Sequence, residues 1–147
     1  MPANPDINYP KFLADAGRVE RVRESRRISE ADFLRMAAEP GTIVLDARSA
    51  ENYRRVHVKG AINLSLPDFT AETLARAIPS KTTRVLIYCN NNFREAPAAL
   101  ASKLPSVSLN IYTFNALHSY GYTNVYELGP LLSYRQNRLV LEGSEVK

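Results

Sequence analysis

The sequence contains a single cysteine, Cys89, so an internal disulfide is excluded and with it a disulfide-stapled scaffold. Histidine is nearly as scarce. His57 and His118 lie far apart, and with one thiol they form no cluster with the spacing of a zinc or iron site. No apolar run approaches the roughly 18 residues that cross a bilayer. We therefore expect no metal ion, no cofactor and no membrane contact.

The composition is typical of one soluble globular domain. The chain has 147 residues, of which 45% are apolar and 23% charged, enough to bury a core. Residues 1–5 lack the charged and apolar regions of a secretory signal. We expect a cytoplasmic location, and a periplasmic one if a leader has been removed.

Much of the net charge of +4 comes from one arginine-rich stretch near the N-terminus, in which two glutamates are interleaved: Arg18, Glu20, Arg21, Arg23, Glu24, Arg26 and Arg27. We interpret it as a solvated helix or linker face with ion pairs, rather than as a patch for nucleic acid or another anionic partner. No aromatic residue is interleaved there to stack on bases, so we expect no nucleic-acid partner.

Apolar runs alternate with helical patterns along most of the chain. The runs 42–46, 84–88 and 124–128 predict strands, and a shorter strand follows the turn at Gly60. Between them, capping residues and apolar stripes predict helices that begin near residues 29, 49, 70 and 111. This order predicts an α/β fold with an open parallel sheet covered on both faces. We expect an N-terminal helical arm at 1–27, a domain at 28–143 and a tail at 144–147.

Cys89 follows the clearest buried strand, 84–88, and thus lies where open α/β sheets bind their ligands. The N–H groups of a loop and of a helix N-terminus can stabilise negative charge on a sulfur atom there, which lowers its pKa. Arg94, five positions later, is a candidate cationic helper. The alternative is a structural cysteine that packs as a small apolar residue.

Four segments resemble the rhodanese family. Residues 45–53 (LDARSAENY) and 57–63 (HVKGAIN) are similar to its N-terminal signature, 85–89 (VLIYC) to the strand before its active-site cysteine, and 121–128 to its last strand. The resemblance implies a rhodanese-like, open, mainly parallel five-stranded sheet with helices on both faces.

The resemblance also implies sulfur transfer, in which a cysteine takes sulfane sulfur from a donor such as thiosulfate, holds it as a persulfide and passes it to a thiophilic acceptor. Cys89 would be the nucleophile. The implied active-site loop is Asn90, Asn91, Asn92, Phe93 and Arg94, and the implied supporting residues are Asp46, Arg48 and His57. Since no second thiol is present, the acceptor must be an external thiol, cyanide or a partner protein.

The chain departs from the family pattern after Cys89. The family loop has a basic residue just after the cysteine and a glycine midway, whereas this loop has uncharged asparagines at both places. An insertion of roughly fifteen residues, with a short helix at 96–103, is expected between Phe93 and Ser108. If Arg94 belongs to this insertion, it points away from the sulfur. His118 is expected at the surface.

Two other functions remain open. A non-catalytic binding or regulatory module would suit the uncharged loop and the insertion. A phosphatase or arsenate reductase occurs on related folds, but its wider loop places one more residue between cysteine and arginine than the four found here. The sequence leaves open the donor, the acceptor and the oligomeric state.

Overall fold

Five helices and nine short strands make up the fold of the computed structural model, which describes residues 1–147. The helices are α1 (Tyr9–Glu24), α2 (Glu30–Ala37), α3 (Ala50–Arg55), α4 (Ala71–Ala77) and α5 (Leu109–Ser119). The strands are β1 (Arg27–Ile28), β2 (Ile43–Asp46), β3 (His57–Val58), β4 (Ile62–Asn63), β5 (Val85–Tyr88), β6 (Phe93–Arg94), β7 (Val125–Leu128), β8 (Leu132–Ser133) and β9 (Leu141–Glu142). None of the helices combines the length and the apolar character that a membrane crossing requires.

Side-chain caps fix where three of the helices begin. The hydroxyls of Ser29, Ser49 and Thr70 each accept a hydrogen bond from the backbone N–H three residues later, at 3.0–3.2 Å. Each cap satisfies one of the N–H groups that a helix leaves unpaired in its first turn. The predicted starts of α2, α3 and α4 are therefore confirmed.

The central sheet has five strands in the order β1-β7-β5-β2-β4, and every neighbouring pair is parallel. The predicted five-stranded sheet is confirmed, and it is wholly rather than mainly parallel. Strand β5 lies at its centre between β2 and β7, so the residue that follows β5 emerges at the middle of the sheet's carboxyl edge.

Two apolar clusters cover the two faces of this sheet, as predicted. Along β5 the side chains alternate between them: Leu86 and Tyr88 belong to one cluster, Val85 and Ile87 to the other. The first cluster contains Phe33 from α2, and the second contains residues of α1, α4 and α5. Helices α1 and α5 therefore share one face of the sheet.

The segment between β6 and α5 differs from the prediction. The expected helix at 96–103 is wrong, since only a 3₁₀ turn at Ala98–Leu100 forms there. Pro97 has no N–H for a helical bond and disfavours helical geometry at Ala96, and the chain is extended again at Ala101. A second 3₁₀ turn, Pro105–Val107, leads into α5.

His118 was expected at the surface but is buried, with 7% of its area exposed. Its ring stacks on Phe114 at 4.8 Å between centroids, and burial lowers its pKa below the usual value. His118 is buried because α5 packs against α1 and the central sheet.

Candidate active site around Cys89

Cys89 follows β5 at the carboxyl edge of the sheet, and only 1% of its area is exposed. The backbone N–H groups of Asn91, Leu109 and Asn110 act on its sulfur and lower its pKa. Because Leu109 and Asn110 begin α5, the positive end of that helix faces the sulfur. Burial acts in the opposite direction and is the largest influence, so the pKa of the thiol is raised above its ordinary value.

Asn92 connects three parts of the site through one side-chain amide. Its Oδ1 accepts hydrogen bonds from the backbone N–H of Cys89 and from Nδ2 of Asn110, both at 3.0 Å. Its Nδ2 donates to the carbonyls of Leu128 at 2.9 Å and Pro130 at 3.0 Å. The turn at Asn90–Asn92 is thereby fixed to the start of α5 and to the end of β7.

Asn91 connects the same turn to the segment before α5. Its Nδ2 donates to the carbonyl of Lys103 at 2.9 Å, and its Oδ1 accepts from the N–H of Lys103 at 2.8 Å. This two-sided contact holds the backbone of Lys103 beside the loop, where its side chain lines the cavity next to Cys89. Lys103 therefore adds a cationic residue to the lining of this cavity, although the loop has none of its own at 90–92.

The cavity beside Cys89 has a volume of about 450 Å³. Three cationic side chains and one anionic side chain line it: Arg23, Arg27, Lys103 and Glu127. Asn91, Asn92 and Asn110 contribute polar lining. Such a cavity has room for a small anion, and its charges are of both signs.

Arg23 and Glu127 form a two-pronged ion pair in this cavity. Arg23 Nε lies 2.5 Å from Glu127 Oε1, and its Nη2 lies 2.6 Å from Oε2. The Glu127 side chain is 5% exposed and that of Arg23 is 27% exposed. The interpretation of the arginine-rich stretch as a solvated face is thus wrong for Arg23. This residue is four positions after the buried Val19 and therefore lies on the same, inner face of α1.

Arg94 lies outside this cavity. It belongs to β6, which pairs with β8, and its side chain is exposed. The neighbouring Phe93 is buried and contacts Tyr88 edge to face, with 6.4 Å between ring centroids. Burial of Phe93 thus directs the chain away from the sulfur, and the residues expected to form one loop are divided between the turn and β6.

Asn90 does not line the cavity beside Cys89. It is buried, and it lines a second cavity of about 270 Å³ together with Arg48 and Lys103. Its Oδ1 has no hydrogen-bond partner.

Asp46 and Arg48 form a buried ion pair below the turn. Arg48 Nη2 lies 2.7 Å from Asp46 Oδ2, and the guanidinium also donates to the carbonyls of Ala99 at 2.7 Å and Val56 at 2.5 Å. The hydroxyl of Tyr88 donates to the same carboxylate. The pair therefore ties the end of β2 to the segment before α5.

His57 does not line either cavity. It stacks on Tyr53 at 3.8 Å, and its Nε2 lies 3.1 Å from Glu142 Oε1 across the β3–β9 pair. These contacts connect the C-terminal segment to α3 and give His57 no access to the sulfur.

The sequence interpretation missed Arg23, Arg27, Lys103 and Glu127 as site residues. Only Glu127 has a local signal, since a carboxylate stands at an inward-facing position of the apolar strand 125–128. The other three reach the site through packing between segments that are distant in sequence.

Comparison with known protein families matches residues 29–129 to the family described as Rhodanese-like domain. A stretch of 46 residues is 44% identical to thiosulfate sulfurtransferase PspE of Escherichia coli K12, which is 31% of this chain and 43% of that protein. This chain therefore aligns with less than half of the curated relative that it matches. Helix α1 and strand β1 precede the residues matched to the family.

Solved structures show the same fold. The BH2092 protein of Bacillus halodurans is 24% identical, with a TM-score of 0.59 over 90% of this chain and 88% of that one. The Rhodanese-like domain of the Alr3790 protein from Anabaena sp. is 18% identical, with a TM-score of 0.60 over 82% of this chain and 80% of that one. At these identities the likeness concerns the fold alone.

Proposed function

We propose that this chain, which belongs to the Rhodanese-like domain family, is a sulfurtransferase that holds sulfane sulfur as a persulfide on Cys89. The observation that supports this most is the position of its only thiol. The sulfur lies at the carboxyl end of the central strand, has its pKa lowered by three backbone N–H groups and borders a cavity lined by three cationic residues. The name of the PspE relative, a thiosulfate sulfurtransferase, agrees with this chemistry.

In the first half-reaction the thiol loses its proton to solvent, and the thiolate attacks the outer sulfur of a donor such as thiosulfate. A bond forms between Cys89 and that sulfur, the donor's own S–S bond breaks, and sulfite leaves with the electron pair. The N–H groups of Asn91, Leu109 and Asn110 stabilise the negative charge on the thiolate before attack.

Arg27 and Lys103 are the side chains best placed to bind an anionic donor. Arg27 is half-exposed, and its nearest acid, the exposed Glu24, is 3.9 Å away. Arg23, by contrast, already uses two of its donors on Glu127. A doubly charged donor would therefore meet cations that are free to pair with it.

In the second half-reaction an external nucleophile removes the sulfur. A thiolate or cyanide attacks the outer sulfur of the persulfide, the bond to Cys89 breaks, and Cys89 leaves as a thiolate. The product is a persulfide on the acceptor, or thiocyanate. The acceptor must come from outside the chain because no second cysteine is present.

A second candidate, a non-catalytic binding module, is favoured by the 1% exposure of Cys89 and the raised pKa of its thiol. A phosphatase or arsenate reductase is not favoured, because Arg94 does not line the cavity beside the sulfur.

Turnover of thiosulfate and cyanide to thiocyanate tests the proposal. We expect activity in the wild-type protein, none in Cys89→Ser, and no hydrolysis of an aryl phosphate. Absence of thiocyanate with thiosulfate and with other sulfane donors would favour the binding module. Robust phosphate release that depends on Cys89 would overturn the assignment.

A further inference from the structure

Glu127 lies on the same side of the sheet as the sulfur. In the parallel pairing of β5 with β7, Glu127 is opposite Ile87, and Cys89 follows Ile87 by two positions. Side chains two apart on a strand share a face. On the other side, the backbone N–H of Glu127 donates a 2.9 Å hydrogen bond to the carbonyl of Arg26, the residue just before β1. The backbone from which the carboxylate projects is therefore fixed within the sheet.

A carboxylate in this position disfavours ionisation of the Cys89 thiol, because the two negative charges repel each other. Both groups are nearly inaccessible to water, so their repulsion is weakly screened. An unpaired buried carboxylate is also costly in itself. The charged residues that line the cavity beside the sulfur are Arg23 of α1, Arg27 of β1, Lys103 of the segment before α5 and Glu127 of β7. Of the three cations, only Arg23 forms an ion pair with Glu127.

We propose that Arg23 is a positioning residue through which helix α1, outside the family-matched domain, keeps Cys89 ionisable by neutralising the Glu127 carboxylate. The proposal rests on the proposed function for its catalytic meaning. It makes α1 a part of the active site, so that detaching α1 from α5 would lower the fraction of Cys89 that is ionised.

The electrostatic directions agree with this geometry. The pKa of Arg23 is raised above its usual value, chiefly by its hydrogen bonds to Glu127, and the sulfur of Cys89 adds to the rise. The Glu127 carboxylate in turn contributes to the raised pKa of the Cys89 thiol. Glu127 therefore influences the ionisation of both Arg23 and Cys89.

A titration of the thiol across a double-mutant cycle tests the proposal. The pKa of Cys89 is measured by thiolate absorbance, with Cys89→Ala as the blank, in Arg23→Met, Glu127→Gln and the double variant. We expect Arg23→Met to raise the pKa by about one unit, which is a tenfold loss of thiolate at neutral pH. Glu127→Gln should lower it, and the double variant should return it toward the wild-type value.

Two further variants control for charge and for folding. Arg21→Met removes the same charge from an exposed position of α1 and should leave the pKa unchanged. Arg23→Lys should keep most of the wild-type value. An unchanged pKa in Glu127→Gln and in folded Arg23→Met would overturn the proposal, even if both variants were less stable. If Arg23→Met fails to fold, the nearly isosteric Glu127→Gln alone decides.

Sulfur loading from thiosulfate, measured in the same variants, separates the two claims. A wild-type protein that accepts no sulfur refutes the proposed function, whereas the pKa cycle refutes or supports the role of Arg23 independently. When both hold, loading at neutral pH should fall in Arg23→Met in proportion to the lost thiolate.

Discussion

Asn91 holds the backbone of Lys103 from both sides, with its Nδ2 2.9 Å from the carbonyl and its Oδ1 2.8 Å from the N–H. The two residues are twelve positions apart, and the chain between them contains no long helix or strand. The contact therefore places a cation beside a turn whose own residues at 90–92 are uncharged. Asn91 and the distant Lys103 together thus give the cavity lining a cationic residue.

Loss of this contact should weaken donor binding. In Asn91→Ala, Lys103 is released, and we expect the KM for thiosulfate to rise about five- to tenfold, the equivalent of about 1–1.4 kcal/mol. The pKa of Cys89 should change little. Lys103→Met should raise KM to a similar extent, and the double variant should add nothing further. A raised KM in Lys103→Met with a normal KM in Asn91→Ala would show that the contact is not needed.

Removal of the Asn92 amide should destabilise the whole domain. Asn92→Ala loses four hydrogen bonds and leaves buried donors and acceptors unpaired, so we expect the free energy of unfolding to fall by about 2–4 kcal/mol. Urea denaturation measures it. Asn115→Ala is a matched control, because its side-chain oxygen has no partner, and it should cost less than about 1 kcal/mol. Equal losses in the two variants would contradict this role of Asn92.

Arg48→Met should be more costly than any exposed arginine substitution. It leaves the fully buried Asp46 carboxylate without its cation, and breaking such a pair typically costs about 3–5 kcal/mol. The exposed Arg54→Met, six positions away, should change stability by less than about 0.5 kcal/mol. Thermal and urea unfolding would show the difference, and near-equal stabilities of the two variants would exclude a bracing role for the pair.

The raised pKa of Cys89 predicts the pH dependence of sulfur loading. Below this pKa the thiol dominates, so the loading rate should increase about tenfold per pH unit from neutral pH until the folded-state pKa is reached. The unfolded chain ionises its thiol first, so stability should decline as pH rises above the ordinary thiol pKa, and this part of the decline should vanish in Cys89→Ser. A loading rate independent of pH between about 7 and 9 would contradict the raised value.

The parallel sheet could be predicted from the sequence, and so could the position of Cys89 at the carboxyl end of a buried strand. Both follow from local patterns. Ser29, Ser49 and Thr70 cap their helices through bonds that span three residues, and β-branched runs mark the buried strands. The family resemblance implied that the sheet has five strands.

The charges around the sulfur could not be predicted in this way. Arg23 and Glu127 are 104 positions apart, and their pairing depends on how α1 packs against α5 and the sheet. Arg94 is close in sequence to Cys89 but leaves the site because Phe93 is buried, a consequence of the first apolar cluster rather than of loop spacing. Tertiary packing thus decides which cations reach the cavity.

Intact-protein mass spectrometry after incubation with thiosulfate and removal of excess donor tests the central claim most directly. We expect a gain of one sulfur, about 32 Da, in the wild-type protein, loss of that gain on addition of cyanide or a thiol, and no gain in Cys89→Ala. A wild-type protein whose mass is unchanged by every sulfane donor, or an equal gain in Cys89→Ala, would contradict it.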